Sequence, residues 1–226
     1  MNVLALDSAC AACSAAVVRD GVVLAERFCA MARGHVEALM PMVLDVLDEA
    51  GADFDSLDLV SVTVGPGSFT GLRAGLAAAR GIALARSLPL DGITTLEAVA
   101  YAARPQAAGR QVLVAIETRR ADLYVQRFGA DGAPESAPAA LLPEAAAILV
   151  PESGCLIAGD GAPRLAATLS GRALDAAHGP GLPRAVDVAA LAVLNRDRGR
   201  PPRPPSPFYL HPPEAKMPAP SQRLRS

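Results

Sequence analysis

Short continuous apolar runs alternate along the chain with stretches in which apolar residues recur every three or four positions. This alternation predicts an α/β protein. Residues 3–6 are an apolar run ending at Asp7, as expected of a strand buried on both faces. A turn of small residues over 8–14 leads to a second run at 15–18. Arg19-Asp20-Gly21 then supplies a hairpin turn before a third run at 22–28. Helical periodicity follows over 35–50, with Gly51 placed to end it. Residues 57–64 read as another buried strand, followed by Gly65-Pro66-Gly67-Ser68-Phe69-Thr70-Gly71 and a helix to about residue 86, with Ser68 or Thr70 as its cap. A short strand at 89–93 and a helix capped by Thr94 or Thr95, running to about residue 103 with Pro105 beyond it, complete this half.

The order then restarts. Residues 112–116 are apolar and end at Glu117, and 123–128 form a second strand closed by Ala130-Asp131-Gly132. Leu4-Ala5-Leu6-Asp7 aligns with Val114-Ala115-Ile116-Glu117, each three apolar residues and an acid opening onto a hairpin. The pair suggests a duplicated domain, although short apolar strands also align by chance. An Ala-rich helix after Pro143, a strand at 155–158, Gly159-Asp160-Gly161, a helix through residue 169 and a last helix at 187–194 capped by Asp187 fill the second half. Past residue 195 the composition shifts: nine of the twenty prolines lie between 201 and 220, and seven basic residues face two acidic ones from Arg196 onward. The expected division is an N-terminal lobe at 1–104, a C-terminal lobe at 105–199 and a basic, Pro-rich tail at 200–226. That tail is extended or disordered, with Phe208-Tyr209-Leu210 the part able to dock.

Composition narrows the function classes. Of 226 residues, 51% are hydrophobic and mean hydropathy is +0.29, which excludes disorder for most of the chain. Aromatics are 4% with no Trp, so Ala, Val and Leu must fill the core. A net charge of -2 argues against coating nucleic acid or acidic membranes by charge alone. The longest weakly polar run, 75–85, is interrupted by Arg80, so no membrane span or membrane partner is expected. With no basic leader and four cysteines that make no disulfide framework, a cytoplasmic protein is expected.

Three features could carry chemistry. A strand, acid and hairpin is how many phosphotransferases hold nucleotide: turn amides wrap a phosphate while the acid orients Mg²⁺ waters. The turn after Asp7, Ser8-Ala9-Cys10-Ala11-Ala12-Cys13-Ser14, has neither glycine nor cation, and the turn after Glu117 has two arginines but no glycine. Its Cys10 and Cys13 form a CxxC without a second pair or a nearby His, so they read as small strand-end residues rather than redox or zinc ligands. The glycine-rich loop is no Walker A motif, since no Lys follows, yet it opens a helix whose amides could attract an anion. That helix carries Gly71, Gly75 and Ala79 every fourth position, which permits close approach of another helix. His35 lacks a second His at position 39, so a polar or capping role is expected rather than metal binding. Its helix has two apolar stripes, one of Leu39, Met42, Val46 and Ala50, the other of Val36, Met40, Val43 and Leu47; the second points to a protein partner.

VLALDSACAACSAAV, HVEALMPMVLDVL, VGPGSFTGLRAGLAAARGIA, IETRRADLYVQRF, GDGA and FYLHPPEAK together resemble the bacterial TsaB (YeaZ) family, over essentially residues 1–213. The resemblance implies an actin-like, sugar-kinase/Hsp70 (ASKHA) α/β fold of two similar lobes with mixed sheets flanked by helices. It also implies a non-catalytic dimerisation subunit of the machinery that places threonylcarbamoyl on N6 of adenosine 37 in tRNAs reading codons that begin with A. The implied partners are TsaD, the catalytic paralogue, and TsaE, an ATPase, with TsaC in the same pathway. tRNA is met through the complex, and a homodimer can form when the chain is alone. No tightly bound cofactor or metal is implied, with ATP or ADP at the complex interface. Pairing through N-terminal lobes assigns Val36, Met40, Val43, Leu47, Gly71, Leu72, Gly75, Leu76 and Ala79 to the interface. Asp7, Ser68, Thr70, Arg73 and Glu117 would mark a vestigial nucleotide or anion site. Glu117 stands where relatives often carry Asp, and His211 replaces an Arg common after the Tyr-Leu pair. The alternative is an active small ATPase or kinase of the same fold; a metallopeptidase would need metal ligands the chain lacks.

Overall fold

The computed structural model describes residues 1–169, 171, 174–179 and 181–211. The first sheet holds β1 (Asn2–Asp7), β2 (Ala12–Arg19), β3 (Val22–Ala30), β4 (Leu59–Gly65) and β5 (Leu90–Thr94), in the spatial order β3-β2-β1-β4-β5. The second holds β6 (Val112–Glu117), β7 (Leu123–Phe128), β8 (Ala139–Leu141), β9 (Cys155–Ala158) and β10 (Leu174–Ala176), in the order β8-β7-β6-β9-β10. Matching each strand to the one five places earlier makes the two orders coincide. Directions coincide too: β1–β2 and β6–β7 are antiparallel, β1–β4 and β6–β9 parallel. Asp7 and Glu117 therefore close equivalent strands, and the repeat read from the sequence is a repeat of topology.

Both faces of the first sheet are covered, which is why β1 reads as an unbroken apolar run. On one face Leu4 and Leu6 pack under α1 (His35–Glu49) and α2 (Phe69–Arg86), which lie side by side. On the other, Val3 and Ala5 meet Ala185, Val188, Ala189 and Ala192 of α5 (Ala185–Asp197). Alanine every few positions brings α5 close to the strands, as a core poor in aromatics requires. Between the lobes, α3 (Thr95–Ala107) turns Ala98 toward α5 and the first sheet, and Leu96, Val99, Ala100 and Ala103 toward the second. The outer face of the second sheet is covered by α4 (Ala162–Thr168) and a 3₁₀ turn at Ala145–Leu149.

Several local expectations are corrected. The segment after Pro143 makes the 3₁₀ turn rather than an α-helix. Helix α3 runs past Pro105, which stands in its last turn, two residues before its end. Asp187 does not cap α5: the helix begins two residues earlier, and burial pushes the Asp187 carboxyl up to about 6. At three residues each, β8 and β10 are too short to leave an apolar run.

The segment after α5 docks more extensively than Phe208–Leu210. The Arg203 N–H donates to Asp91 Oδ1 (2.8 Å), Gly92 N–H donates to the Arg203 carbonyl (3.1 Å), and the Arg203 guanidinium forks onto both Glu97 oxygens (2.6 and 3.0 Å). The segment thereby covers the free edge of β5, which would otherwise present unpaired backbone groups. Residues 212–226, including the remainder of FYLHPPEAK and the rest of the basic tail, lie outside the described residues.

Candidate functional site

The turn after β1 is where a phosphate cradle would be sought, and its polar groups are directed inward. Its Ala9 carbonyl accepts from Ser68 N–H (2.7 Å), its Cys10 carbonyl from His35 Nε2 (2.8 Å) and its Ala11 carbonyl from Met31 N–H (2.9 Å). A carbonyl can only accept, so His35 carries its proton on Nε2; it fastens the turn and does not cap α1, whose N-cap position is Gly34. The Ala9 N–H is itself used by Asp7 Oδ1 (3.2 Å). Ser8 Oγ donates to the Gly71 carbonyl (2.8 Å). A Cβ on Gly71 would collide with the Ser8 carbonyl, one on Gly67 with the Ala9 carbonyl, and one on Gly75 would sit 2.6 Å from Ser8 Oγ. The small-residue row on α2 therefore serves this chain's own turn.

Asp7 is fully buried. Thr63 Oγ1 donates to its Oδ1 (2.6 Å), while Oδ2 has no partner among the described residues. Burial pushes the carboxyl up to about 7, against the smaller opposing pull of those hydrogen bonds. Burial, with the negative fields of Asp7 and Asp160, holds the Cys10 thiol well above its usual range, so it is no ready nucleophile. All four cysteines are free.

The equivalent turn in the second lobe is also held by its own side chains. Glu117 N–H donates to Asp160 Oδ1 (2.8 Å), and the Glu117 carboxylate faces Arg164 Nη1 (3.4 Å). Arg164 Nη2 donates to the Asp122 carbonyl (2.6 Å). Across the gap between the turns runs the segment 208–211. Phe208 donates its N–H to the Val64 carbonyl (2.7 Å) and packs on the first-lobe core, while Leu210 packs on the second-lobe core. His211 Nε2 lies 3.3 Å from Asp122 Oδ2, with its ring against Tyr124 (centroids 5.3 Å apart).

Of the five residues expected to mark an anion site, four are engaged separately and Thr70 is exposed. Asp7 is sealed, Ser68 caps α2 by accepting from Gly71 N–H (3.4 Å), and Thr70 is exposed on the first turn. Arg73 lies over the Phe69 ring (3.8 Å) and donates to the Tyr209 hydroxyl (3.3 Å), and Glu117 pairs in the other lobe. Three carbonyls of the first turn are already bonded within the chain, and its acid is fully buried.

The expected partner stripe is split. Val36 (56% exposed) and Met40 (38%) are on the surface, joined by Leu44 (54%), which sequence reading passed over. Val43, Leu47, Leu72, Leu76 and Ala79 are buried in this chain's core, as are Gly71 and Gly75. Their assignment to an open surface is corrected: α1 is flanked by α2 as well as lying on the sheet, so it buries a wider sector than one stripe. Phe69 (55%) and Leu84 (84%) are the large apolar residues that α2 exposes.

Comparison with known proteins bears on this geometry. The profile of the family described as TsaD, tRNA N6-adenosine threonylcarbamoyltransferase, matches residues 26–141. An uncharacterized Mycobacterium tuberculosis protein is 38% identical over 95% of this chain and 94% of its own length. Two solved Pseudomonas aeruginosa structures decide the matter: YeaZ (TM-score 0.79, 29% identity, 92% of this chain and 99% of that one) and a protein with similarity to peptidase YeaZ (TM-score 0.81, 30% identity, 93% and 99%). The chain belongs to the TsaB/YeaZ family. Escherichia coli TsaB is 37% identical over 58% of this chain, a match spanning 56% of that protein. The two similar lobes of mixed sheets flanked by helices expected of the TsaB/YeaZ family are the ones observed. Among the described residues no helix is long and apolar enough to cross a membrane.

Proposed function

We propose that the chain is the non-catalytic partner subunit of an assembly that makes threonylcarbamoyladenosine at position 37 of tRNA, and that it docks on a TsaD-type paralogue. The observation that carries this reading is that the fold's nucleotide cleft is closed by the chain's own groups: turn carbonyls bonded to Ser68, His35 and Met31, a buried Asp7, and residues 208–211 laid between the lobes. A TsaB/YeaZ protein that keeps the fold while sealing its catalytic cleft retains surfaces, not chemistry. Val36, Met40 and Leu44 on α1 supply an exposed apolar surface suited to that paralogue's N-terminal lobe or, in its absence, to a second copy. TsaE and tRNA then join through the complex, in the cytoplasm, and ATP or ADP sits at the complex interface rather than in this chain.

Reconstitution tests the reading. The chain alone should neither turn over Mg-ATP nor modify tRNA, whereas the TsaD-type partner supplied with TsaC and TsaE should modify tRNA only when the chain is added. ATP hydrolysis by the chain alone, lost in Asp7→Asn, would establish the ATPase alternative instead.

A further inference from the structure

The cysteines of the CxxC in the first turn face different neighbours. Cys10 packs against the second-lobe core and lies in the fields of Asp7 and Asp160. Cys13 is buried in the first-lobe core and lies in the fields of Asp7 and Cys29. Strand register explains that second neighbour. Cys13 of β2 stands directly opposite Cys29 of β3, and opposed residues of an antiparallel pair share a face of the sheet. Here it is the face under α1, on which Val17 opposes Ala25, and Ala15 opposes the Arg27 that pairs with Glu49.

Two residues further on, Met31 N–H donates to the Ala11 carbonyl (2.9 Å), so the ladder is hydrogen-bonded at 11 and 31. Such pairs recur at every second position, which makes Cys13 and Cys29 one of them, with Cα atoms about 5.5 Å apart. A disulfide spans Cα separations of roughly 4.4–6.8 Å. The Cβ atoms of opposed residues are about 4.5–5.5 Å apart, against roughly 3.5–4.5 Å in a relaxed bridge. Closing the link therefore draws the strands together, and a strained disulfide is readily reduced. β3 can yield because it is the outermost strand of its sheet, with β2 its sole strand neighbour. The two thiols differ in access: Cys29 is exposed and Cys13 buried. Burial, with the charges of Asp7 and Cys29 adding to it, pushes the Cys13 thiol up to about 12. An oxidant thus meets Cys29 first, and Cys13 reacts with what Cys29 then carries.

We propose that Cys13 and Cys29 form a reversible cross-strand disulfide, with a small-molecule disulfide such as oxidised glutathione as the oxidant. The Cys29 sulfur attacks one sulfur of the oxidant, forming a mixed disulfide, and the first glutathione leaves with the Cys29 proton. The Cys13 sulfur then attacks Cys29 Sγ, and the second glutathione leaves with the Cys13 proton. Two protein thiols lose two electrons, and one glutathione disulfide becomes two thiols. The link clamps edge strand β3 to its sheet just before residues 31–34 lead into α1. In the cytoplasm proposed above, such links are transient and redox-sensing rather than structural. The pairing itself rests on the strand register and not on the partner-subunit reading.

The test treats the reduced full chain with oxidised glutathione and reads intact mass and tryptic peptides. Wild type and Cys10→Ala should each lose two hydrogens and yield peptide 1–19 linked to peptide 28–33. In Cys10→Ala the first peptide holds no cysteine but Cys13, so the link is assigned even where Cys13→Ala fails to fold. A folded Cys13→Ala should stop at one glutathione on Cys29, and a folded Cys29→Ala should form no internal link. Millimolar reduced glutathione should reopen the wild-type link. Capture at Cys29 without closure in the wild type, a link through Cys10 or Cys155, or no reaction overturns the proposal. So does a link that survives millimolar reduced glutathione, which would make it a structural disulfide.

Discussion

Ser8 Oγ donates a hydrogen bond to the carbonyl of Gly71, 2.8 Å away, joining the turn after β1 to the first turn of α2. This bond and the crowded approach around it place the side of α2 that carries glycines against its own lobe. A phosphate would need that space.

Gly71→Ala should therefore destabilise the fold, because its Cβ meets the Ser8 backbone carbonyl, which cannot swing away. A cost of about 2–4 kcal/mol in urea unfolding is expected, near the upper range for overpacking. Gly75→Ala meets only the Ser8 hydroxyl, a rotatable group, and should cost less. Equal, negligible costs at both positions would show that the contact is slack.

Asp7 makes stability depend on pH. Its folded value of about 7 lies above the ordinary carboxyl value of 3.8, so the folded state holds the proton more tightly. Stability from this group is full below about pH 4 and is lost as pH rises toward 7. Between pH 5 and pH 8 the wild type should lose about 2–3 kcal/mol through Asp7. Asp7→Asn should remove that part of the slope and leave the smaller same-sign contribution of Asp187, whose carboxyl is pushed up to about 6. Parallel pH profiles for the two proteins would refute the assignment.

Removal of residues 201–226 deletes the Arg203–Glu97 fork, the cover on β5 and the apolar contacts of Phe208 and Leu210. The truncated chain should lose roughly 3 kcal/mol or more, seen as a clear drop in melting temperature. Arg203→Ala alone should give part of that loss. An unchanged melting temperature after truncation would mean that these contacts add nothing to the fold.

Much of this fold was legible because buried parallel strands are unbroken apolar runs and because Asp7 and Glu117 close matching ones. The glycine row on α2 announced a close approach, but spacing alone does not say which body approaches. A helix from another chain and the carbonyl of Ser8 need the same small residues. The two stripes on α1 were visible, yet whether Val43 faces a partner or α2 depends on a neighbour distant in sequence. Arg203 left no local signal at all. It finds Glu97 only because of tertiary placement, and a proline-rich, arginine-rich stretch reads as solvated until an edge strand such as β5 needs covering.

The most direct measurement of the central claim is gel filtration of the chain mixed with its TsaD-type paralogue, comparing wild type with Met40→Glu. Met40 is on the surface of α1, so the variant should melt as the wild type does. A carboxylate buried at the interface without a partner should cost roughly 3 kcal/mol or more, weakening the complex by about a hundredfold or beyond. Co-elution of the wild type and separate elution of a folded Met40→Glu is the predicted result. A folded Met40→Glu that co-elutes as fully as the wild type would contradict docking through α1.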